Sequence, residues 1–246
     1  MRFLYGPVGP DAATDVAFAH ALVRRAGRGE IGPTLRMYRP TGPVLAFGRR
    51  DTLLPGFGDA VSSARAAGFT PVVRAPGGRA VGYTEAALVV DHVAPDSVAP
   101  RGLERRFRDF GAAYAAVLRD LGLDARVGEV PGEYCPGGFS VNARGVVKLV
   151  GTAQRVVRGA WLFSAVVVVD GSRVLRALLT DVYQHLGQPF DGASVGSVRD
   201  EAPGVDLDRL EKAVLDVYLA TAALEPVPPD TATLATTREL VSDHRL

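Results

Sequence analysis

Twelve residues, Val72 to Tyr83 (VVRAPGGRAVGY), constrain this chain more than any other stretch. An apolar run, a Pro-Gly-Gly break, a cation and a second apolar run follow one another, which reads as strand, loop, strand. Val72, Val73 and Arg74 suit a buried strand. Pro76 then lacks a donor for any ladder, and Gly77 and Gly78 reach backbone angles that other residues avoid. Such a loop lets a ligand approach the backbone, and free N–H groups beside Arg74 and Arg79 suit a carboxylate or phosphate. Taken alone, the stretch reads first as an ordinary diglycine hairpin turn, and a second stretch is needed to favour the ligand cradle.

A second stretch, Val146 to Arg155 (VVKLVGTAQR), follows the Gly- and Pro-dense segment GEYCPGGFSVN. Lys148 interrupts an apolar strand there, so it must lean out to water or pair with an anion, because an isolated buried ammonium is costly. Around these stretches the periodicities predict helices at 12–25, 59–67, 101–123, 174–186 and 207–224. Asp11 caps the first of these, and the second to last precedes a stretch, 189–205, that reads mostly as loop. Strands are predicted at 35–38, 44–48 (joined to the former by a turn), 86–93, 125–130, 146–150 and 165–170, with Trp161 between the last two. Strand runs without regular βα alternation predict an α+β fold with a mixed or antiparallel sheet. One domain over residues 1–225 is expected, followed by a tail, 226–246, with a stiff PVPPDTAT linker and a short helix near 236–241.

Composition narrows the function. The 28 basic and 27 acidic residues are interspersed and leave a net charge of +1, so neither nucleic acid nor an anionic membrane is indicated as a partner. The longest apolar run is too short to span a bilayer and the N-terminus has no signal-peptide pattern, which predicts a cytoplasmic protein. The single Cys135 excludes an internal disulfide and a multi-cysteine metal site, and the four histidines are too scattered for a zinc motif. Neither a P-loop nor a dinucleotide glycine pattern is present. Ser194 in Gly-Ala-Ser-Val-Gly spells a nucleophile elbow but lies in predicted loop, and Asp91-His92 reads as a hydrogen-bonded pair at a strand edge.

The two motifs RAPGGRAV and VKLVGTAQR, in that order and roughly seventy residues apart, resemble the catalytic domain of the lipoate-protein ligases and octanoyltransferases. The resemblance implies a class II biotin/lipoyl synthetase-like fold, a largely antiparallel mixed sheet flanked by helices. It implies that Lys148 is the central cation. Gly77, Gly78 and Arg79, with Arg74, Ala80 and Tyr83 beside them, would contact the acyl group or its adenylate, and the small residues Gly151, Thr152 and Ala153 would let backbone approach it. No resident metal is expected. A ligase would use ATP and Mg²⁺ to activate lipoate or octanoate as an acyl-adenylate. The implied partner is a lipoyl carrier domain, of a 2-oxoacid dehydrogenase E2 or the glycine cleavage H protein, with an acyl carrier protein or a separate accessory chain as further candidates.

In the octanoyltransferase branch a loop cysteine ahead of the lysine carries the acyl group as a thioester, and Cys135 precedes Lys148 by thirteen residues. The family's histidines are replaced by Tyr83 and Phe163, which removes polar groups from the expected pocket and admits a non-catalytic relative that only binds the acyl ligand. On the sequence, the ATP-dependent ligase is the favoured reading, the Cys135 transferase the alternative, and biotin a weaker substrate.

Overall fold

The computed structural model describes all 246 residues. In chain order the elements are β1 (Arg2–Tyr5), α1 (Ala12–Gly27), β2 (Thr34–Tyr38), β3 (Val44–Phe47), α2 (Phe57–Ala66), β4 (Thr70–Val73), β5 (Val81–Tyr83), β6 (Ala87–Pro95) and α3 (Leu103–Asp120). There follow β7 (Ala125–Val127), β8 (Val141–Ala143), β9 (Val147–Val157), β10 (Ala160–Val168), α4 (Ser172–His185), α5 (Val198–Glu201), α6 (Leu207–Thr221), β11 (Glu225–Pro226) and α7 (Thr231–Leu240). Asp11 accepts the Thr14 N–H and so starts α1, as its position before the apolar periodicity predicts. No helix is long and apolar enough to cross a membrane.

Eight strands form one sheet in the order β11-β1-β2-β6-β10-β9-β8-β7, and three form a second in the order β4-β3-β5. The large sheet is antiparallel except where β1 runs parallel to β2 and β11. The predicted α+β architecture with a mixed, largely antiparallel sheet flanked by helices is therefore the one observed. Along β10, Phe163, Ala165 and Val167 pack with α3 and α6 on one face, and Ser164 and Val166 look the other way, towards the small sheet. The space between the two sheets is where the sequence motifs meet.

Several local expectations are corrected. β2 and β3 are not a hairpin but belong to different sheets, because the connection through Pro40 and Pro43 lacks the donors a continuing ladder needs. β4 and β5 both flank β3, so the diglycine loop crosses the width of a three-stranded sheet instead of closing a tight turn. β9 and β10 are longer than predicted, and Trp161 lies within β10; Gln154 and Arg155 masked the end of β9, since polar side chains interrupt the apolar signal. Asp91-His92 sits in the middle of β6, with both neighbours paired, and not at a strand edge. The short strands β1, β8 and β11 carry too few residues for a period to show.

Residues beyond 225 are woven into the rest. β11 pairs with β1, and Arg25 of α1 holds α7 through Asp230 and the Thr233 hydroxyl (2.7 Å). At the end of the chain the Val73 N–H donates to the His244 carbonyl (3.0 Å), the His244 Nδ1 lies 2.6 Å from the Val73 carbonyl, and His20 Nδ1 lies 3.0 Å from His244 Nε2. The last strand residue before Arg74 is thus pinned from both sides.

Candidate active site

Between the sheets lies an apolar cavity walled by Val16 and Ala19 of α1, Ala46 of β3, Val81 of β5, Val89 of β6 and Val166 of β10. Tyr38 and Tyr83 also face it, both buried. Its polar atoms gather in two places. Around Asp91 and Ser164 the hydroxyl donates to the carboxylate (2.6 Å), and Arg36, fully buried, pairs with Asp15 and lies 3.8 Å from Asp91. Burial raises the Asp91 pKa, against the opposing pull of Arg36 and the Ser164 hydrogen bond. The second polar group is Arg74, Cys135 and Lys148.

Cys135 sits in the Gly- and Pro-dense loop with φ 45°, a left-handed conformation unusual for a residue with a side chain. Its N–H donates to the Tyr183 hydroxyl (2.7 Å), which donates to the Ala80 carbonyl (3.0 Å), so a helix residue fixes the loop to the start of β5. The Sγ accepts the Arg79 backbone N–H (3.2 Å) and the Arg74 guanidinium (3.4 Å). Burial by itself would push the thiol pKa up. The Arg74 and Lys148 charges and the Arg79 N–H together outweigh it, and the pKa falls below the ordinary cysteine value. A half-buried thiol held by two donors has its thiolate form favoured, which is the form that acts as a nucleophile.

The diglycine loop is built for this approach. A Cβ on Gly78 would stand 2.6 Å from the Cys135 Sγ and 2.4 Å from the Arg74 guanidinium, and Gly78 has φ 101°. On its other side a Cβ on Gly48 would meet the Gly78 carbonyl at 1.9 Å, so the end of β3 and the loop touch backbone to backbone. The Gly77 N–H donates to Gln154 of β9 (3.2 Å). These glycines therefore bring backbone against a nucleophile as well as against a ligand.

Lys148 takes the second course open to it in the sequence: it is 2% exposed and pairs with Glu133 at 3.0 Å, itself 2% exposed. Its ammonium also donates to the Tyr134 (3.0 Å) and Cys135 (2.9 Å) carbonyls, so one ion pair and two hydrogen bonds tie it to the cysteine loop. Glu133 completes that loop from within by accepting the Ser140 hydroxyl (3.0 Å) and the Val130 and Gly137 N–H groups (3.3 and 3.2 Å). Sequence reasoning missed Glu133, although a glutamate in a Gly-Pro loop fifteen residues before a strand-borne lysine was the one signal available. It also missed Ser164 and the role of Asp91.

Of the predicted site residues, Arg74, Tyr83, Cys135, Lys148, Gly151 and Thr152 line the cavity. Gly77, Gly78 and Ala153 flank Cys135 from a depression on the surface. Ala80 gives its carbonyl to the Tyr183 hydroxyl, and the Arg79 side chain points to a separate surface basin while its N–H serves the thiol. Phe163 is corrected: strand alternation turns it to the opposite face, where it stacks on Phe110 at 4.3 Å, and Ser164 is the residue that β10 presents to the cavity. Its replacement of a histidine therefore takes nothing from the pocket. Ser194 is no nucleophile elbow; its hydroxyl donates to the Asp191 carbonyl (2.6 Å), and the neighbouring Gly196 N–H bonds the Lys148 carbonyl (3.3 Å).

Comparison with known proteins follows the same lines. The chain is 32% identical to an octanoyl-[GcvH]:protein N-octanoyltransferase of Geobacillus kaustophilus (strain HTA426), over 75% of this chain and 64% of that relative. It is 30% identical to octanoyltransferase LipM of Kyrpidia tusciae (strain DSM 2912 / NBRC 15312 / T2), over 87% of this chain and 85% of the relative. The chain spans about half to two thirds of the length of most of the octanoyl-[GcvH] relatives it matches. In fold it is similar to a lipoate-protein ligase A bound with ATP (TM-score 0.78, 23% identity, 98% of this chain and 94% of that one). It is similarly related to the bi-partite lipoate protein ligase of Thermoplasma acidophilum (TM-score 0.73, 20% identity, 98% and 92%). Residues 11–219 match the family described as lipoyl protein ligase A/B catalytic domain, and with both motifs assembled around one cavity the chain belongs to that family.

Proposed function

We propose that this protein is a cysteine-dependent acyltransferase that moves an octanoyl or lipoyl group from a carrier protein to the lysine of a lipoyl carrier domain. One observation carries the reading: the lone cysteine, held by the Arg79 N–H and the Arg74 guanidinium, stands at an apolar cavity suited to an acyl chain. The octanoyltransferase names of the two relatives support it. The sequence alone favoured an ATP-dependent ligase; the thiol's surroundings shift the balance, because an acyl-adenylate route needs no protein nucleophile.

In the first half-reaction the Cys135 thiolate attacks the donor's acyl carbonyl. The carbonyl electron pair moves to oxygen, then returns as the bond to the donor's amine or thiol breaks; that leaving group takes up one proton. The product is a Cys135 thioester. In the second, the neutral amine of the acceptor lysine attacks the thioester, loses a proton, and expels Cys135 as thiolate, leaving the acyl group in an amide. Arg74 and Lys148 stabilise the thiolate at both ends of the cycle, and the walls keep water from the thioester. Seating the chain in the cavity aligns its carbonyl with the sulfur.

Incubation with an octanoylated carrier in the absence of ATP, followed by intact-mass measurement, tests this. The expected result is a gain of one octanoyl group, mapped to Cys135 and lost in Cys135→Ser together with transfer to an apo lipoyl domain. Transfer that requires ATP and survives Cys135→Ser would restore the ligase reading, with the diglycine loop and Lys148 holding an acyl-adenylate.

A further inference from the structure

On the outer side of the diglycine loop a surface basin opens beside Cys135 and carries four arginines, Arg49, Arg50, Arg79 and Arg155. They come from three separate segments. Arg49 and Arg50 follow β3 directly after Gly48, whose backbone touches Gly78; Arg79 leaves the diglycine loop; Arg155 lies on β9 beside Gln154, which bonds the Gly77 N–H. None of the four forms an ion pair, in contrast to Arg2, Arg28 or Arg39 elsewhere on the surface. The only carboxylate lining the basin, Asp51, is buried and accepts the Gly48 N–H. Arg155 Nε is itself buried without a partner. Four like charges gathered around one opening repel one another, and such a cluster is favourable once an opposite charge covers it.

We propose that this basin docks the acyl-bearing carrier protein and that the carrier presents an acidic surface around its acylated side chain. The proposal rests on the acyltransferase reading and names the partner chemistry for the same site. Geometry favours a carrier surface because the arginines surround the approach to the sulfur, while Arg74, inside, serves the thiol. A carrier docked there delivers its acyl group past Gly77 and Gly78 to Cys135. The interspersed charges of the chain give no hint of this patch, since each arginine has acidic neighbours in sequence or lies alone in its segment.

The test compares two donors in the wild type and in the double variant Arg49→Glu/Arg50→Glu, two exposed residues outside the thiol's contacts. The donors are octanoyl-GcvH, a carrier, and octanoyl-N-acetylcysteamine, a small uncharged thioester. Expected is a rise of about tenfold or more in KM for octanoyl-GcvH, with acylation of Cys135 by the small thioester unchanged. The wild-type kcat/KM with the carrier should fall with added salt, and the variant should show a shallower dependence. An unchanged KM and salt slope would overturn the proposal, as would loss of ATP binding by calorimetry with carrier kinetics intact, which would mark the basin as a nucleotide site. Failure of both donors to acylate wild-type Cys135 would overturn the acyltransferase reading and the docking proposal with it.

Discussion

At the scale of single residues, the site is a balance of charges around one sulfur. Arg74 is the largest favourable influence on the Cys135 thiolate, so Arg74→Ala should move the pH profile of iodoacetamide alkylation upward, towards that of an ordinary cysteine. Gly78→Ala should abolish most activity, with kcat/KM down at least about tenfold. The added methyl would overlap both the sulfur and the guanidinium, on a backbone conformation that alanine resists. Lys148→Met leaves Glu133 as an uncompensated buried carboxylate and should cost about 3–5 kcal/mol in chemical denaturation. The double variant Lys148→Met/Glu133→Gln should recover much of that stability without recovering activity, which separates the pair's structural role from the lysine's effect on the thiol.

At the scale of elements, β4 is placed by the end of the chain. The His244 Nδ1 donates to the Val73 carbonyl, and with both rings neutral its Nε2 accepts from the His20 Nδ1–H; a proton on each ring would set N–H against N–H and break the pair. Burial, with the nearby His244 and Arg155, pushes His20 down to about 4, and burial alone does the same to His92. A histidine whose folded pKa lies below its unfolded value contributes its full stability above about pH 6.5. That contribution is lost as pH falls towards 4, since the unfolded chain binds the proton first. Each of the two should cost about 2 kcal/mol between pH 7 and pH 5, and urea midpoints at the two pH values will show the drop. His20→Gln should flatten the dependence.

At the scale of the whole molecule, the large sheet divides the protein into a packed side and a reactive side. α3 and α6 cover one face with Leu118, Tyr114 and Val214, while the small sheet, α1 and the cysteine loop enclose the cavity on the other. Leu118→Ala should therefore lower stability by about 2–5 kcal/mol in denaturation and leave the alkylation profile of Cys135 where it was. Phe163 and Ser164 show why the division is hard to read in advance, because a shift of one residue along a strand exchanges core for cavity.

The linear sequence determined what local physics can decide. The Asp11 cap and apolar stripes fixed the long helices, the Pro-Gly-Gly break set the loop, and Lys148 in an apolar strand demanded an anionic partner. Which anion answers that demand was settled only by the fold, which brings Glu133 to the ammonium and the backbone of Arg79 to the sulfur. The four arginines of the basin were equally invisible, since they meet only once the two sheets pack together. Hydrophobic period and backbone preference act over a few neighbouring residues and leave their mark in order along the chain. A pKa or a docking charge depends on distances through space between segments far apart in sequence, and those exist only once the sheets have closed.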